Sequence, residues 1–151
     1  MKRILSNMAI TLMFIIGACF LAYPIIANLL SNRQHGEVIQ DYQITVEQMN
    51  ASVMAEEKEK ALAYNQGLNG MVAHDPFIEG SGYVLPENYL DCLNVDGIMG
   101  TLVIDKIKIN LPIYHGTRDE VLRKGAGHIK ETALPIGGEG SHAVLTSHSG
   151  L

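Results

Sequence analysis

The sequence predicts a mainly β domain that is preceded by a membrane-spanning helix and an amphipathic helical segment. Three observations support this fold class. Residues 8–30 carry no charge, residues 33–68 place apolar side chains at helical spacing, and residues 99–109 are apolar and β-branched, with alternation near their end. With 151 residues, the chain allows one compact domain with appendages and not two domains.

Composition and charge exclude several classes of protein. The chain has 11 basic and 16 acidic side chains, a net charge of −5, and no local basic patch, which argues against nucleic acid as a partner. A hydrophobic content of 47% excludes a wholly disordered chain, and 15 Gly with 5 Pro exclude a collagen-like one. Every acidic residue lies at Glu37 or later, so an acidic, water-soluble part follows an apolar one.

The apolar segment 8–30 is long enough to cross a membrane. Its 23 residues would form a helix of about 34 Å, against a hydrocarbon core of ~30 Å. Lys2 and Arg3 precede it and only Arg33 follows closely, so the positive-inside rule keeps the N-terminus in the cytoplasm. We therefore expect a cytoplasmic tail at 1–7, a single-pass signal anchor in the plasma membrane lipid at 8–30, and the rest outside.

Two alternatives to this anchor are disfavoured by the residues that follow its first half. A cleaved signal peptide has an apolar core of ~7 to 15 residues, whereas this run continues past Ala22 to Leu30. The stretch 16–19 resembles a lipobox with Cys19 as the lipidated residue. Lipoproteins turn polar after that Cys, however, and residues 20–26 are apolar except for the amphipathic Tyr23.

Residues 31–70 are predicted to be helical. Apolar side chains step by three and four residues at Ile39, Tyr42, Val46, Met49 and Val53. The stripe lasts barely two heptads, which favours one or two helices packed on a neighbouring domain over a coiled coil. The charged run 56–60 would then form a solvated face.

The remainder is predicted to form a loop followed by strands. Residues 71–97 are rich in Gly, Pro, Asn and Asp and should be irregular. In the region 98–151, residues 99–109 suit one strand or two joined around Asp105, and 111–114 another extended piece. Thr117 is placed to cap a short helix, and 142–146 read as a buried strand that delivers His148 at its end.

The cysteines and histidines indicate neither a disulfide framework nor a metal site. Cys19 lies in the membrane segment, and Cys92 has no adjacent basic residue to lower its pKa, so we interpret Cys92 as a half-buried spectator thiol. The six His are scattered without the i, i+4 pair and third ligand of a metal site. Because a complete phosphate-binding Gly loop is also missing, we expect no cofactor.

Several short motifs together resemble the first half of a sortase catalytic domain. They are GAGH at 125–128, TALPIGG at 132–138 and HAVLTSHSGL at 142–151, with MG at 99–100, LPIYHG at 111–116 and VL at 121–122. The match runs from about Ile98 to the last residue. It is closest to class C sortases, the pilin-polymerising enzymes of Gram-positive bacteria, which also have an N-terminal anchor and a helical stretch.

The resemblance implies a fold and an activity. The fold would be a closed eight-stranded β-barrel of which this chain holds the first half. The activity would be that of a thiol protease acting as a transpeptidase in pilus assembly at the cell wall. It would cleave an LPxTG-like sorting signal on a pilin or surface protein, and an acceptor amine such as a pilin lysine would form an isopeptide bond. No cofactor is implied.

The resemblance also assigns roles to individual residues. His148 would be the catalytic acid and base, since an imidazole with a pKa of ~6.5 gains and loses protons near working pH. Asp75, Pro76 and Phe77 would form a lid within 71–97. The catalytic Cys and Arg would follow Leu151, so the chain is expected to be a catalytically incomplete fragment.

Other residues that match the family are interpreted as structural. His115 and His128 are expected to be structural or rim histidines, and LPIGG at 134–138 is expected to be a turn and not a sorting signal. The alternative function is a non-enzymatic, membrane-anchored extracytoplasmic domain for binding or assembly.

Overall fold

The computed structural model describes residues 2–68 and 88–148. The predicted lid residues Asp75, Pro76 and Phe77 lie outside these ranges. The elements are α1 (Lys2–Gln48), α2 (Ala51–Gly67), β1 (Ile98–Ile104), β2 (Ile109–His115), α3 (Asp119–Leu122), β3 (Ala126–His128) and β4 (Leu145–Thr146). The contacts divide the chain into an N-terminal unit that ends at Gln34 and a second unit from His35 to His148.

The N-terminal unit is an apolar stretch of helix without protein packing around it. Phe14 and Leu21 are each 78% exposed, and the segment Ser6–Gln48 contains an 18-residue stretch of mean hydropathy 2.3. A helix that is apolar all round requires an apolar environment, so by length and composition this one is a candidate membrane span. Helix α1 does not end near Leu30 but continues, with Pro24 inside it, to Gln48.

Helix α2 begins at a side-chain cap that the sequence analysis did not anticipate. Asn50 is extended, and its Oδ1 accepts a hydrogen bond of 3.4 Å from the N–H of Ser52, which separates α2 from α1. Ala61 and Tyr64 form the buried face of α2, and the Tyr64 hydroxyl donates to the carbonyl oxygen of Lys130. The expectation of a helix packed on the following domain is therefore confirmed for α2.

Two further contacts tie α2 to the domain. The side chain of Asn65 accepts from the N–H of Leu134 at 2.7 Å and donates to its carbonyl oxygen at 3.3 Å. Glu57 Oε2 accepts from the N–H of Leu93 at 3.1 Å. Leu134, the first residue of the LPIGG stretch, is fully buried in the core. This stretch is therefore packed into the domain at its start.

The four strands form one sheet in the order β1-β2-β3-β4. Strands β1 and β2 are an antiparallel hairpin closed by a 3₁₀ turn at Asp105–Ile107, which confirms the predicted pair of strands joined there. Strand β3 is parallel to β2, and α3 lies in the connection between them. Strand β4 pairs antiparallel with β3, with His128 opposite Leu145 and Gly127 opposite Thr146.

Two details of this region were wrongly predicted. Thr117 does not cap a helix, because Arg118 precedes α3 and makes no capping hydrogen bond, while Thr117 is buried. The expected strand at 142–146 is reduced to Leu145–Thr146, and these two residues are half-buried. A two-residue strand has few ladder bonds, so other contacts must hold its position.

The glycines of the GAGH stretch are required by close packing. A Cβ atom at Gly127 would overlap the carbonyl oxygen of Gly116, and one at Gly125 would overlap that of Pro112. The lack of a side chain at both positions lets the backbone at β3 pack closely against β2 and the residue after it. Packing therefore explains these glycines, and phosphate binding is not needed to explain them.

Candidate active site

The end of β4 presents the histidine that the sequence singled out. Ser147 and His148 follow Leu145–Thr146, and β4 lies at one edge of the sheet. Ser147 Oγ donates to the carbonyl oxygen of Gly125 at 3.3 Å, which holds the chain beyond β4 against the start of β3. The His148 side chain is 47% exposed and is therefore accessible to a substrate.

One carboxylate faces the imidazole of His148. Its Nε2 lies 3.5 Å from Oδ1 of Asp119 on α3, while Oδ2 of the same carboxylate lies 2.6 Å from Nη2 of Arg123. The Asp119 side chain is 65% exposed, so solvent screens both contacts, and 3.5 Å is long for a hydrogen bond. The contact therefore orients the ring only weakly.

His128 has the opposite environment. It is fully buried, its Nε2 lies 2.9 Å from the carbonyl oxygen of Ala133, and its Nδ1 lies 3.0 Å from the hydroxyl of Tyr89. Because a carbonyl oxygen can only accept, the proton must be on Nε2, and Nδ1 accepts from Tyr89. Burial lowers the pKa of His128, which keeps the ring neutral and the tautomer fixed.

His115 is also a structural residue. Its Nε2 donates to the carbonyl oxygen of Cys92 at 2.8 Å, and its ring packs edge-on against Tyr89 with centroids 5.0 Å apart. Burial lowers the pKa of His115 as well. The interpretation of His115 and His128 as structural is thus supported by their contacts.

Cys92 is not suited to nucleophilic attack. The residue is fully buried, and burial, with the nearby carboxylates of Glu57 and Asp91, raises the pKa of its thiol. A nucleophilic cysteine needs the reverse, a lowered pKa and an exposed sulfur. Cys92 is therefore a spectator, buried more completely than the sequence suggested.

Two further features of the described residues bear on where a site could lie. Within residues 2–68 and 88–148, no cluster of three His, Cys, Asp or Glu side chains could hold a metal ion. An apolar groove of about 150 Å³ lies beside α2, with Tyr42, Val46 and Met99 among its lining residues. Neither His148 nor Asp119 lines that groove.

Sequence reasoning assigned no role to two residues that organise this region, although Thr132 opens the TALPIGG motif. Tyr89, in the predicted loop, is fully buried and its hydroxyl accepts from the N–H of Gly116 at 3.0 Å. The Thr132 hydroxyl contacts His128, Ile129 and Val144. The tertiary fold brings each of these residues to its partners, so no periodic pattern in the sequence could predict the contacts. The only sequence signal at Tyr89 was an aromatic side chain among turn-forming residues.

Comparisons with known proteins agree on one family. A family model described as a sortase domain matches residues 102–150. Streptococcus pneumoniae sortase C is 36% identical with a TM-score of 0.66, over 76% of this chain and 56% of that one. Streptococcus agalactiae sortase C1, solved with MTSET, is 33% identical with a TM-score of 0.63, over 75% and 56%. Actinomyces oris sortase C-1 is 38% identical with a TM-score of 0.57, over 64% and 54%.

The matches confirm the predicted sortase-like fold, with an N-terminal apolar helix and a partial sheet of four strands. No significant match was found among curated proteins. The chain spans less than two thirds of the length of these solved structures. The family model covers His148 and all of β3 and β4. The chain belongs to the sortase family and groups with its class C members.

Proposed function

We propose that this chain is part of a membrane-anchored cysteine transpeptidase that cleaves an LPxTG-like sorting signal and joins pilin subunits through an isopeptide bond. The family match and the class C relatives support this proposal. The structure of the Streptococcus pneumoniae sortase C bears on catalysis and on pilin substrate specificity. The alternative, a non-enzymatic binding domain, has no specific observation in its favour.

The proposed role of His148 follows from the chemistry of the reaction. A Cys thiolate attacks the Thr carbonyl carbon, the Thr–Gly bond breaks, and His148 donates a proton to the leaving Gly amine. The neutral imidazole then takes a proton from the incoming lysine amine, which attacks the thioester and releases the thiolate. Neither cysteine of this chain suits the nucleophilic role, because Cys92 is buried and Cys19 lies in the apolar helix.

The single observation that carries the proposal is the exposed imidazole of His148 at the edge of the sheet. It lies in the segment that matches the family, directly beyond the tether from Ser147 to Gly125. His115 and His128 are also in the matched segment, but their ring nitrogens are used in buried or half-buried contacts.

The test compares two exposed histidines in the full-length enzyme. His148→Ala should lower kcat for transpeptidation of a sorting peptide by ~100- to 10,000-fold, the usual contribution of a general acid and base. His142→Ala is the matched control, because its backbone carbonyl, which accepts from the N–H of Ala133, remains. A folded His148→Ala enzyme with near-wild-type turnover would overturn the proposal.

The proposed topology keeps residues 1–7 in the cytoplasm and the domain outside. Its support is the position of Lys2 and Arg3 before the apolar helix. In whole cells, protease added outside should cut at the exposed charged run 56–60, and a cut requiring membrane lysis would contradict this orientation.

The lid remains a prediction of the family resemblance. Asp75→Ala combined with Phe77→Ala should speed labelling of the catalytic thiol in the full-length enzyme, because an aromatic ring would no longer cover the groove. An unchanged labelling rate would count against a lid at these residues.

A further inference from the structure

The Thr132 hydroxyl connects the buried His128 to the strand that carries His148. Its Oγ1 donates to the carbonyl oxygen of Ile129 at 2.7 Å and accepts from the N–H of Val144 at 3.0 Å. The third neighbour of Oγ1 is Nε2 of His128, at 3.2 Å. A hydroxyl has one proton and two lone pairs, so these three contacts use its full capacity.

The backbone partners fix the directions of two of these hydrogen bonds, because the Val144 N–H can only donate to the hydroxyl and the Ile129 carbonyl oxygen can only accept from it. Nε2 of His128 carries the ring proton, because it lies 2.9 Å from the carbonyl oxygen of Ala133. That proton also faces Thr132 Oγ1, so the hydroxyl accepts from the ring and must donate elsewhere, to Ile129. On the far side of the ring, the Tyr89 hydroxyl contacts Nδ1. The His128 ring is therefore a second donor to the Thr132 hydroxyl, beside the Val144 N–H.

Strand β4 depends on such a contact because it is short. In the described residues only Leu145 and Thr146 pair with β3, and so short a ladder specifies the register of β4 weakly. The segment before β4 is tied to the 129–133 turn by two further hydrogen bonds, from the N–H of Ile129 to Val144 O and from that of Ala133 to His142 O, both 3.0 Å. The Val144 N–H itself is bound by Thr132.

We propose that Thr132 is a positioning residue for His148, which acts through the Val144 N–H to set the register of β4. The inference rests on the proposed function, since it concerns the imidazole assigned to acid-base catalysis. Val144 lies four residues before His148. Loss of the hydroxyl frees the start of β4 and displaces the imidazole from the reacting atoms.

The kinetic test uses the full-length enzyme and a sorting peptide. Thr132→Val keeps the β-branched shape and removes the hydroxyl, so kcat should fall by ~10- to 100-fold, the cost of misplacing a catalytic group by about 1 Å, while KM changes little. Thr132→Ser keeps the hydroxyl and should restore kcat. Thr101→Val is the matched control and should have wild-type turnover, because β1 pairs with β2 and not with β3 or β4 in the described sheet.

A second measurement does not depend on activity. Hydrogen exchange of a peptide covering 142–146 should become faster in Thr132→Val and stay slow in Thr132→Ser and Thr101→Val. If Thr132→Val does not fold, Thr132→Ala removes the same hydroxyl without placing a methyl group against His128 Nε2.

The outcomes separate this inference from the proposed function. Wild-type kcat or unchanged exchange in the folded hydroxyl-deletion variant would overturn the role of Thr132, even if His148→Ala is inactive. An active His148→Ala enzyme would overturn the proposed function, and Thr132 would then have no catalytic residue to position. Reduced kcat without rescue by Thr132→Ser would also contradict the inference, because packing and not the hydroxyl would then be the cause.

Discussion

The ends of β3 and β4 carry histidines in opposite environments, although the two strands are neighbours. His128, the last residue of β3, is fully buried with both ring nitrogens in hydrogen bonds. His148, two residues beyond β4, is 47% exposed and faces one screened carboxylate. The contacts of His128 suit a structural role, whereas the exposed ring of His148 is compatible with the acid-base role that we propose for it.

The largest effect on stability is expected where β3 packs against Gly116, the residue after β2. Gly127→Ala places a Cβ against the carbonyl oxygen of Gly116, and we expect a loss of ~3 kcal/mol or more in the free energy of unfolding. Gly100→Ala on β1 is the control, since its Cβ would meet Ile113 Cδ1 at an ordinary 3.9 Å. Urea unfolding of the full-length protein measures both. Equal stability of the two variants would show that β3 is not fixed by this packing.

The next effect concerns His128 itself. His128→Ala leaves the Ala133 carbonyl without its ring partner and opens a cavity in the core, so we expect a loss of ~2 to 4 kcal/mol in unfolding free energy. The exposed His142→Ala should change it by less than ~0.5 kcal/mol. A loss of unfolding free energy below ~1 kcal/mol for His128→Ala would contradict the structural role of His128.

The pH dependence sharpens the same contrast. Burial lowers the pKa of His128 and His115 below the unfolded value of ~6.5, so stability is fully present above that pH and falls as the pH drops below it. Each such histidine contributes up to about 1.4 kcal/mol per pH unit. Between pH 7.5 and 5.5, His128→Gln should therefore lose about 1 kcal/mol less stability than the wild type. An identical pH dependence would contradict a neutral, buried His128.

The smallest effect is expected at the carboxylate beside His148. Asp119→Asn removes a charge that solvent screens, so turnover should stay within about threefold of the wild type. Glu120→Gln, on the same short helix, is the control. A loss of tenfold or more for Asp119→Asn alone would mean that the contact orients the catalytic imidazole strongly.

Local patterns predicted the parts of the fold that depend on neighbouring residues. The hairpin around Asp105 followed from β-branched alternation, and the apolar helix followed from its composition. The position of His148 followed from short family motifs. The prediction that Thr117 caps a helix was wrong. Thr117 is buried in the connection between β2 and α3, and its tertiary environment, not its residue type, decides its role.

Long-range hydrogen bonds could not be predicted from the sequence. Tyr89 meets His128 across 39 positions, and Asn65 meets Leu134 across 69, with no periodic signal for either pair. The same holds for Thr132 and Val144, which are 12 apart. Residues whose contacts depend on the tertiary fold are therefore harder to find than residues that belong to a short sequence motif.

The most direct measurement of the central claim uses the unmodified full-length enzyme. Diethylpyrocarbonate acylates accessible, unprotonated imidazoles, and mass spectrometry follows each histidine while turnover is assayed. We predict that activity falls at the rate at which His148 is modified, that hydroxylamine restores it, and that His128 stays unmodified until the protein unfolds. Full activity after complete modification of His148, or inactivation that follows His128 instead, would contradict the account.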